Sequence, residues 1–320
     1  MKPLPTALPF PEELASAPLQ AVDLPWLRAA KVQLAVLRLD LIDPVLSGNK
    51  WFKLIRHLQA AREAGATGLI SVGGPHSNHL HALAAAAARY GFHSVGLLRG
   101  HPQQTPTVED LQRFGMQLHW LGYGGYSERH QPGFFDSWRD RYPNHYCIPE
   151  GGGGLAGAWG CVPLVKAVQA KLPDLGWTDH DGWWLAAGTG TTLAGLAIGE
   201  AEQGARCVYG ALAGPPVHGV AEEIDRLLSE AGVARSNYRL IEASRAGFGR
   251  FDVETARFIV ETEGATGWPL DPVYTAKAMM ALRAQVERGY FPQGARLIFV
   301  HTGGLQGRRA AQAQLDKLLR

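Results

Sequence analysis

Short apolar runs alternate with helix-like runs along the middle of this chain, and glycine turns close several of them. GLISVGG (68–74) reads as a buried strand ending in glycines. SNHLHALAAAAARYG (77–91) reads as a helix with Ser77 or Asn78 at its N-cap and Gly91 behind it. HSVGLLRG (93–100) is strand-like, TVEDLQRFG (107–115) helical and MQLHWLG (116–122) strand-like again. The pattern resumes with strand and turn in GWWLAAGTG (182–190), helix in TTLAGLAIGEAEQG (191–204) and strand in ARCVYGALAG (205–214). A helix from about 216 to 231, a strand and turn in ARLIFVHTGG (295–304) and a helical C-terminus from 305 complete it. Alternation at this spacing specifies an α/β protein with parallel sheets covered by helices. With 320 residues, two lobes or one large domain are expected. The stretch 121–135 and the run Gly151–Gly154 read as loop or linker, which ends one lobe near 155.

Charge narrows the partners. The 31 basic and 29 acidic residues leave a formal net charge of +2 with no long like-charged block, so nucleic acid and anionic membranes are not indicated. A small or neutral partner is expected. The N-terminus MKPLPTALPFPEE lacks the apolar core of a secretory signal, and no apolar run approaches the roughly 20 residues of a membrane span. Cys147, Cys161 and Cys207 are odd in number and widely spaced, which fits small buried side chains in a reducing cytoplasm.

Three glycine turns follow strand-like runs, at 73–78, 188–192 and 302–304, where open α/β sheets bind ligands. In GTGTT the glycines admit close backbone approach, the threonines add hydroxyls and a helix N-terminus follows, a combination suited to a phosphate monoester. It is neither a P-loop nor a dinucleotide fingerprint, since no Gly-Lys-Ser/Thr follows and Leu193 stands where a third glycine belongs. A plain capped turn explains it equally well. Ser77, Asn78 and His79 open a helix and suit a carboxylate, although capping alone is the simpler role. His76, His79 and His81 lack the carboxylate or cysteine partners of a metal site, so no metal is expected. In SGNKWFK (47–53), Lys50 lies between Gly48-Asn49 and Trp51-Phe52, and Lys53 shares its helix face. Lys50 reads either as a solvated helix-start lysine or as an amine made nucleophilic by its setting.

Taken in order, SGNKWFKL (47–54), GGPHSNH (73–79), PEGG (149–152), GTGTTLAG (188–195), GFG (247–249), DPVYTAKAM (271–279) and HTGG (301–304) resemble one family. It is the pyridoxal-phosphate-dependent 1-aminocyclopropane-1-carboxylate deaminase/D-cysteine desulfhydrase family. The resemblance implies the tryptophan-synthase-β-like fold type II, two open parallel-sheet α/β domains with pyridoxal 5′-phosphate between them. It implies a small inserted domain near 52–158 and a large one combining 1–51 with 159–320.

By the same resemblance, Lys50 matches the lysine that carries the cofactor, preceded by Asn49, and Lys53 recedes to a helical neighbour. Asn78 matches the asparagine near the pyridine O3′, and Ser77, Asn78 and His79 match the turn that receives the substrate carboxylate. Gly188, Thr189, Gly190, Thr191 and Thr192 match the phosphate cup, Thr302 the hydroxyl at the ring nitrogen, and Tyr274 an active-site tyrosine. Two positions depart from the deaminase pattern. Thr275 replaces a glutamate directed at the ring nitrogen, and Phe248 replaces a second tyrosine. A hydroxyl stabilises a protonated pyridine less than a carboxylate does. The expected activity is therefore a lyase/deaminase of the D-cysteine desulfhydrase kind, giving a 2-oxo acid and ammonia, plus sulfide from cysteine. Deamination of 1-aminocyclopropane-1-carboxylate is the alternative, and a cofactor-binding homologue without efficient turnover is a third. The partner is a small amino acid, and a homodimer is expected from the family.

Overall fold

The computed structural model describes residues 17–46, 48–215, 219–234, 236–245 and 247–320. Ser47, the N-terminal stretch and the first residues of the helix expected from 216 lie outside the described residues.

Among the described residues, ten strands form two sheets. The larger draws on β1 (Leu19–Val22), β2 (Gln33–Arg38), β7 (Gly182–Ala187), β8 (Cys207–Leu212), β9 (Tyr238–Glu242) and β10 (Arg296–His301). Its order is β1-β2-β10-β7-β8-β9, parallel except for β1, which runs antiparallel to β2 at the edge. The smaller sheet contains β3 (Gly68–Gly73), β4 (His93–Leu98), β5 (Gln117–Trp120) and β6 (His145–Ile148) in the order β5-β4-β3-β6, all parallel.

Helices cover both faces, so the central strands are apolar throughout instead of alternating. β7 shows the consequence. All six of its residues are buried, and Trp183 and Trp184 point to opposite faces and enter different core clusters. Each indole N–H is satisfied, donating to Glu200 Oε1 at 2.7 Å and to Ala278 O at 2.8 Å.

Three helices meet almost backbone to backbone beside the cleft: Asn49–Glu63, Gly154–Cys161 and Thr191–Gln203. A Cβ on Gly160 would lie 2.0 Å from Phe52 O, and one on Gly195 would lie 2.4 Å from Ala158 O. Only glycine permits that approach.

Two expectations change. The stretch read as a linker at 121–135 contains the helix Gly122–Ser127 and a 3-10 turn, Glu128–His130. Glycines weaken helix propensity there, but Tyr126 is buried with Ile70, Val72, Val95 and Leu97, and that packing overrides propensity. The glycine run near 151 is likewise ordered, as the 3-10 turn Glu150–Gly152 and the start of the Gly154–Cys161 helix.

Candidate active site

Chain order locates the site. In the large sheet the chain proceeds from β7 outward through β8 and β9, then returns as β10 on the other side of β7. In the small sheet it proceeds from β3 through β4 and β5, then returns as β6 on the other side of β3. Such switch points leave a crevice at the carboxyl ends of the strands. The turns there hold residues 188–190 and 302–304 in one sheet, and 74–77 and 149–153 in the other. These are the sequence motifs singled out above, and they meet.

Gly48 fixes the lysine helix against the large sheet. Its φ is +79°, and a Cβ there would fall 2.3 Å from Thr302 O. Gly48 N donates to Leu39 O at 2.8 Å, and Asn49 N donates to Thr302 O at 3.1 Å. Asn49 Nδ2 also donates to Thr192 Oγ1 at 2.9 Å, linking the helix start to the threonine turn. Lys50 Nζ then lies in the cleft, 3.4 Å from Gly151 O of the opposite sheet. Burial lowers its pKa to about 8, with the charges at Cys161 and Glu150 opposing the fall.

Lys53 is the helical neighbour expected, but it is also buried in the site. It is 1% exposed, and its Nζ donates to Thr189 Oγ1 at 3.0 Å, which itself lies 3.0 Å from Thr191 Oγ1. Burial, and then the charge of Lys50, hold its pKa well below the ordinary lysine value. Its neighbours Trp51, Phe52, Leu54, Ile55, His57 and Leu58 are buried with it. Trp51 and Phe52 are packing residues, Trp51 stacked on Tyr90. An ammonium in such a place requires an anion.

Across the cleft, Ser77 caps the helix Asn78–Tyr90, its Oγ accepting from Leu80 N at 3.1 Å. Asn78 Oδ1 is buried and has no hydrogen-bond partner. The His79 ring is buried beside the 149–153 turn, and its Nδ1 has no hydrogen-bond partner. Ser71 Oγ donates its one proton to Ile148 O at 2.7 Å, so at 2.8 Å it accepts from His79 Nε2. Burial and the two lysines keep that imidazole neutral. His81 faces Asp110, so the three histidines do not converge on a common point.

The remaining wall comes from the 271–275 turn. Asp271 closes the turn that precedes the helix Thr275–Glu287, accepting from Tyr274 N at 2.7 Å, Thr275 N at 2.8 Å and Thr275 Oγ1 at 2.7 Å. The Thr275 hydroxyl also accepts from Asp271 N at 2.8 Å, so it is fully engaged. The Tyr274 phenol is held protonated by burial and then by the carboxylates of Asp271 and Glu150. Phe248 lies edge-on to it, ring centroids 6.0 Å apart. Thr302 sits above a buried network in which Arg38 grips Asp40 through two hydrogen bonds and His301 Nδ1 approaches Asp40 Oδ1 at 3.2 Å.

Glu150 is a site residue that sequence reasoning quoted within PEGG but gave no role. Its carboxylate accepts from Tyr126 Oη and, at 2.7 Å, from Arg129 Nε, and its charge reaches both Lys50 and Tyr274.

A family model described as pyridoxal-phosphate dependent enzyme matches residues 14–303. The chain belongs to that family. Similar proteins include a putative 1-aminocyclopropane-1-carboxylate deaminase of Pyrococcus horikoshii, 29% identical over 84% of this chain and 83% of that protein. A 1-aminocyclopropane-1-carboxylate deaminase of Bradyrhizobium is 29% identical over 92% of this chain and 93% of its own. A bifunctional D-cysteine desulfhydrase/1-aminocyclopropane-1-carboxylate deaminase of Arabidopsis thaliana, mitochondrial, is 27% identical over 86% and 73%. Among solved structures, an ACC deaminase homologue superposes with a TM-score of 0.79 at 27% identity, covering 95% of this chain and 94% of that one. A threonine deaminase from Solanum lycopersicum shares the fold, with a TM-score of 0.67 at 12% identity over 95% of this chain and 83% of its own.

This pyridoxal-phosphate enzyme has a site that fits its cofactor. The buried Lys53 amine donates to the threonine turn, and a phosphate there would supply the anion that its protonated form requires. The orphaned Asn78 Oδ1 awaits a polar partner. A Cβ on Gly188 would press to 3.3 Å from Tyr274 Cε1, so the glycine keeps the space beside the ring open. No helix among the described residues is long and apolar enough to cross a membrane.

Proposed function

We propose that this enzyme removes ammonia from a small D-amino acid bearing a β leaving group, in the manner of a D-cysteine desulfhydrase. In this reading, Lys50 carries the cofactor. Gly188, Thr189, Gly190, Thr191 and Thr192 hold its phosphate together with Lys53, Asn78 meets its O3′, and Thr302 meets its ring nitrogen. When bound, the cofactor draws electrons from the substrate α-carbon. The N–H groups of the Ser77–His79 turn bind the substrate carboxylate. Lys50 Nζ, neutral above about pH 8, accepts the α-proton. Tyr274, kept as a phenol, holds a proton beside the reacting atoms. The β group then departs with its electrons, and hydrolysis yields the 2-oxo acid and ammonia.

The engaged Thr275 hydroxyl carries this preference. The position offers no carboxylate to a ring nitrogen, and its oxygen is already bonded to Asp271. Ring-opening deamination of 1-aminocyclopropane-1-carboxylate is the second reading, favoured by the names of the relatives above. A panel of D- and L-amino acids and the cyclopropane acid, scored by 2-oxo acid and ammonia, separates them. Turnover of D-cysteine or 3-chloro-D-alanine above the cyclopropane acid is expected. The reverse order overturns the preference, and no turnover of any member leaves a cofactor-binding protein without efficient activity. We also assign 52–158 as the small domain, and a homodimer in a reducing cytoplasm, which light scattering and cell fractionation test.

A further inference from the structure

We propose that Asp110, outside the cleft, is a positioning residue that sets how the Asn78 turn meets the 302–304 turn. The proposal rests on the reading of residues 77–79 as the carboxylate site. The helices Asn78–Tyr90 and Leu305–Leu319 begin beside one another. A Cβ on Gly304 would lie 3.2 Å from Asn78 Nδ2, and one on Gly307 would lie 3.4 Å from Asn78 Oδ1. Asn78 Oδ1 has no bond of its own, so what surrounds the side chain decides where it sits.

One turn along each helix, both reach the same carboxylate. His81 Nε2 lies 3.2 Å from Asp110 Oδ2, and Arg309 Nη2 donates to the same oxygen. Arg113 pairs with the other oxygen. Asp110 belongs to the helix Pro106–Arg113 and is 3% exposed, whereas the Arg309 side chain is 48% exposed. The base of that helix is tied to the same turn: Thr105 Oγ1 donates to Pro75 O at 2.6 Å while capping Val108 N at 3.1 Å. The His81 ring also packs edge-on against Phe114, which limits its other orientations. The carboxylate thus fixes three helices, two of which bear opposite walls of the candidate site. Water competes poorly for a group so enclosed, so this contact has more hold than an ordinary surface ion pair.

The test uses holoenzyme of Asp110→Asn, Arg309→Ala and the double variant. D-alanine, which has no β leaving group, is titrated while the absorption band of the bound cofactor is followed, so binding is read without turnover. Melting temperatures accompany each titration. We expect each single variant to weaken D-alanine binding about tenfold, the double variant to be no worse than the weaker single, and the resting band to stay unchanged. Arg309→Lys restores part of the loss. Unchanged binding in Arg309→Ala, losses that multiply in the double variant, or losses that follow melting temperature alone overturn the proposal. Wild-type holoenzyme that binds D-alanine but turns over no amino acid refutes the elimination reading and leaves this one standing.

Discussion

Lys53→Met removes a buried amine whose protonation is disfavoured, while keeping an unbranched side chain of similar reach. In the cofactor-free protein Lys53 Nζ has one neutral hydroxyl at 3.0 Å and a second lysine nearby. Where the amine is protonated its charge is poorly compensated, and an apolar group of similar volume is the more stable occupant. With phosphate present the balance reverses. A charged hydrogen bond contributes about 1.5–3 kcal/mol, and its loss weakens cofactor binding roughly 10- to 150-fold. The pH dependence follows from the lowered pKa. Between that value and the ordinary lysine range the unfolded chain binds more protons than the folded one, so cofactor-free stability rises with pH across this window. The variant loses that slope. Differential scanning fluorimetry of the cofactor-free protein and fluorescence titration with pyridoxal phosphate measure the two sides. A variant that binds the cofactor as tightly as wild type, or melts lower without it, refutes the reasoning.

Four further outcomes are expected. Cofactor capture requires the neutral Lys50 amine, so its rate in stopped-flow absorbance climbs with pH and levels off above about 8; a flat profile from pH 6.5 to 9 counts against Lys50. Borohydride reduction of the holoenzyme followed by peptide mapping places the label on Lys50, and label on Lys53 reverses the assignment. Gly48→Ala forces a Cβ to 2.3 Å from a backbone carbonyl at positive φ and costs more than about 1–2 kcal/mol, seen as lost cofactor retention and a lower melting temperature; an unperturbed variant contradicts the described helix start. Phe248→Tyr restores a phenol beside Tyr274 and raises turnover of the cyclopropane acid relative to D-cysteine, whereas an unchanged ratio removes Phe248 as a determinant.

The strand and helix alternation was legible because central parallel strands carry continuous apolar runs, as 68–74 and 182–187 do. Glycine turns marked the carboxyl ends of those strands, which made the crevice legible too. Other parts depended on distant contacts. The 122–127 helix depends on Tyr126 packing beneath it, not on its glycines. The direction of His79 depends on Ser71, a residue of β3 with no marking in the sequence beyond its place in an apolar run. Lys53 did leave a signal. Trp51, Phe52, Leu54 and Ile55 flank it closely, but Lys50 and Arg56 at helical spacing make it look like part of a solvated face. Asp271, four residues before Thr275, also carried the mark of a residue that closes a turn.

The central position of β10 has a consequence for how the enzyme is made. Among the described residues, the strand between β2 and β7 is the last to be synthesised. Until it inserts, β2 lacks its parallel neighbour, and Asn49 N lacks the Thr302 carbonyl that anchors the lysine helix. Lys50 therefore emerges early from the ribosome but acquires its setting late. Long-range parallel pairing is slow, and a sheet missing its middle strand exposes two unpaired edges. Capture of the cofactor thus belongs at the end of folding, and a chain stopped short of residue 301 should reach neither a complete sheet nor a working lysine.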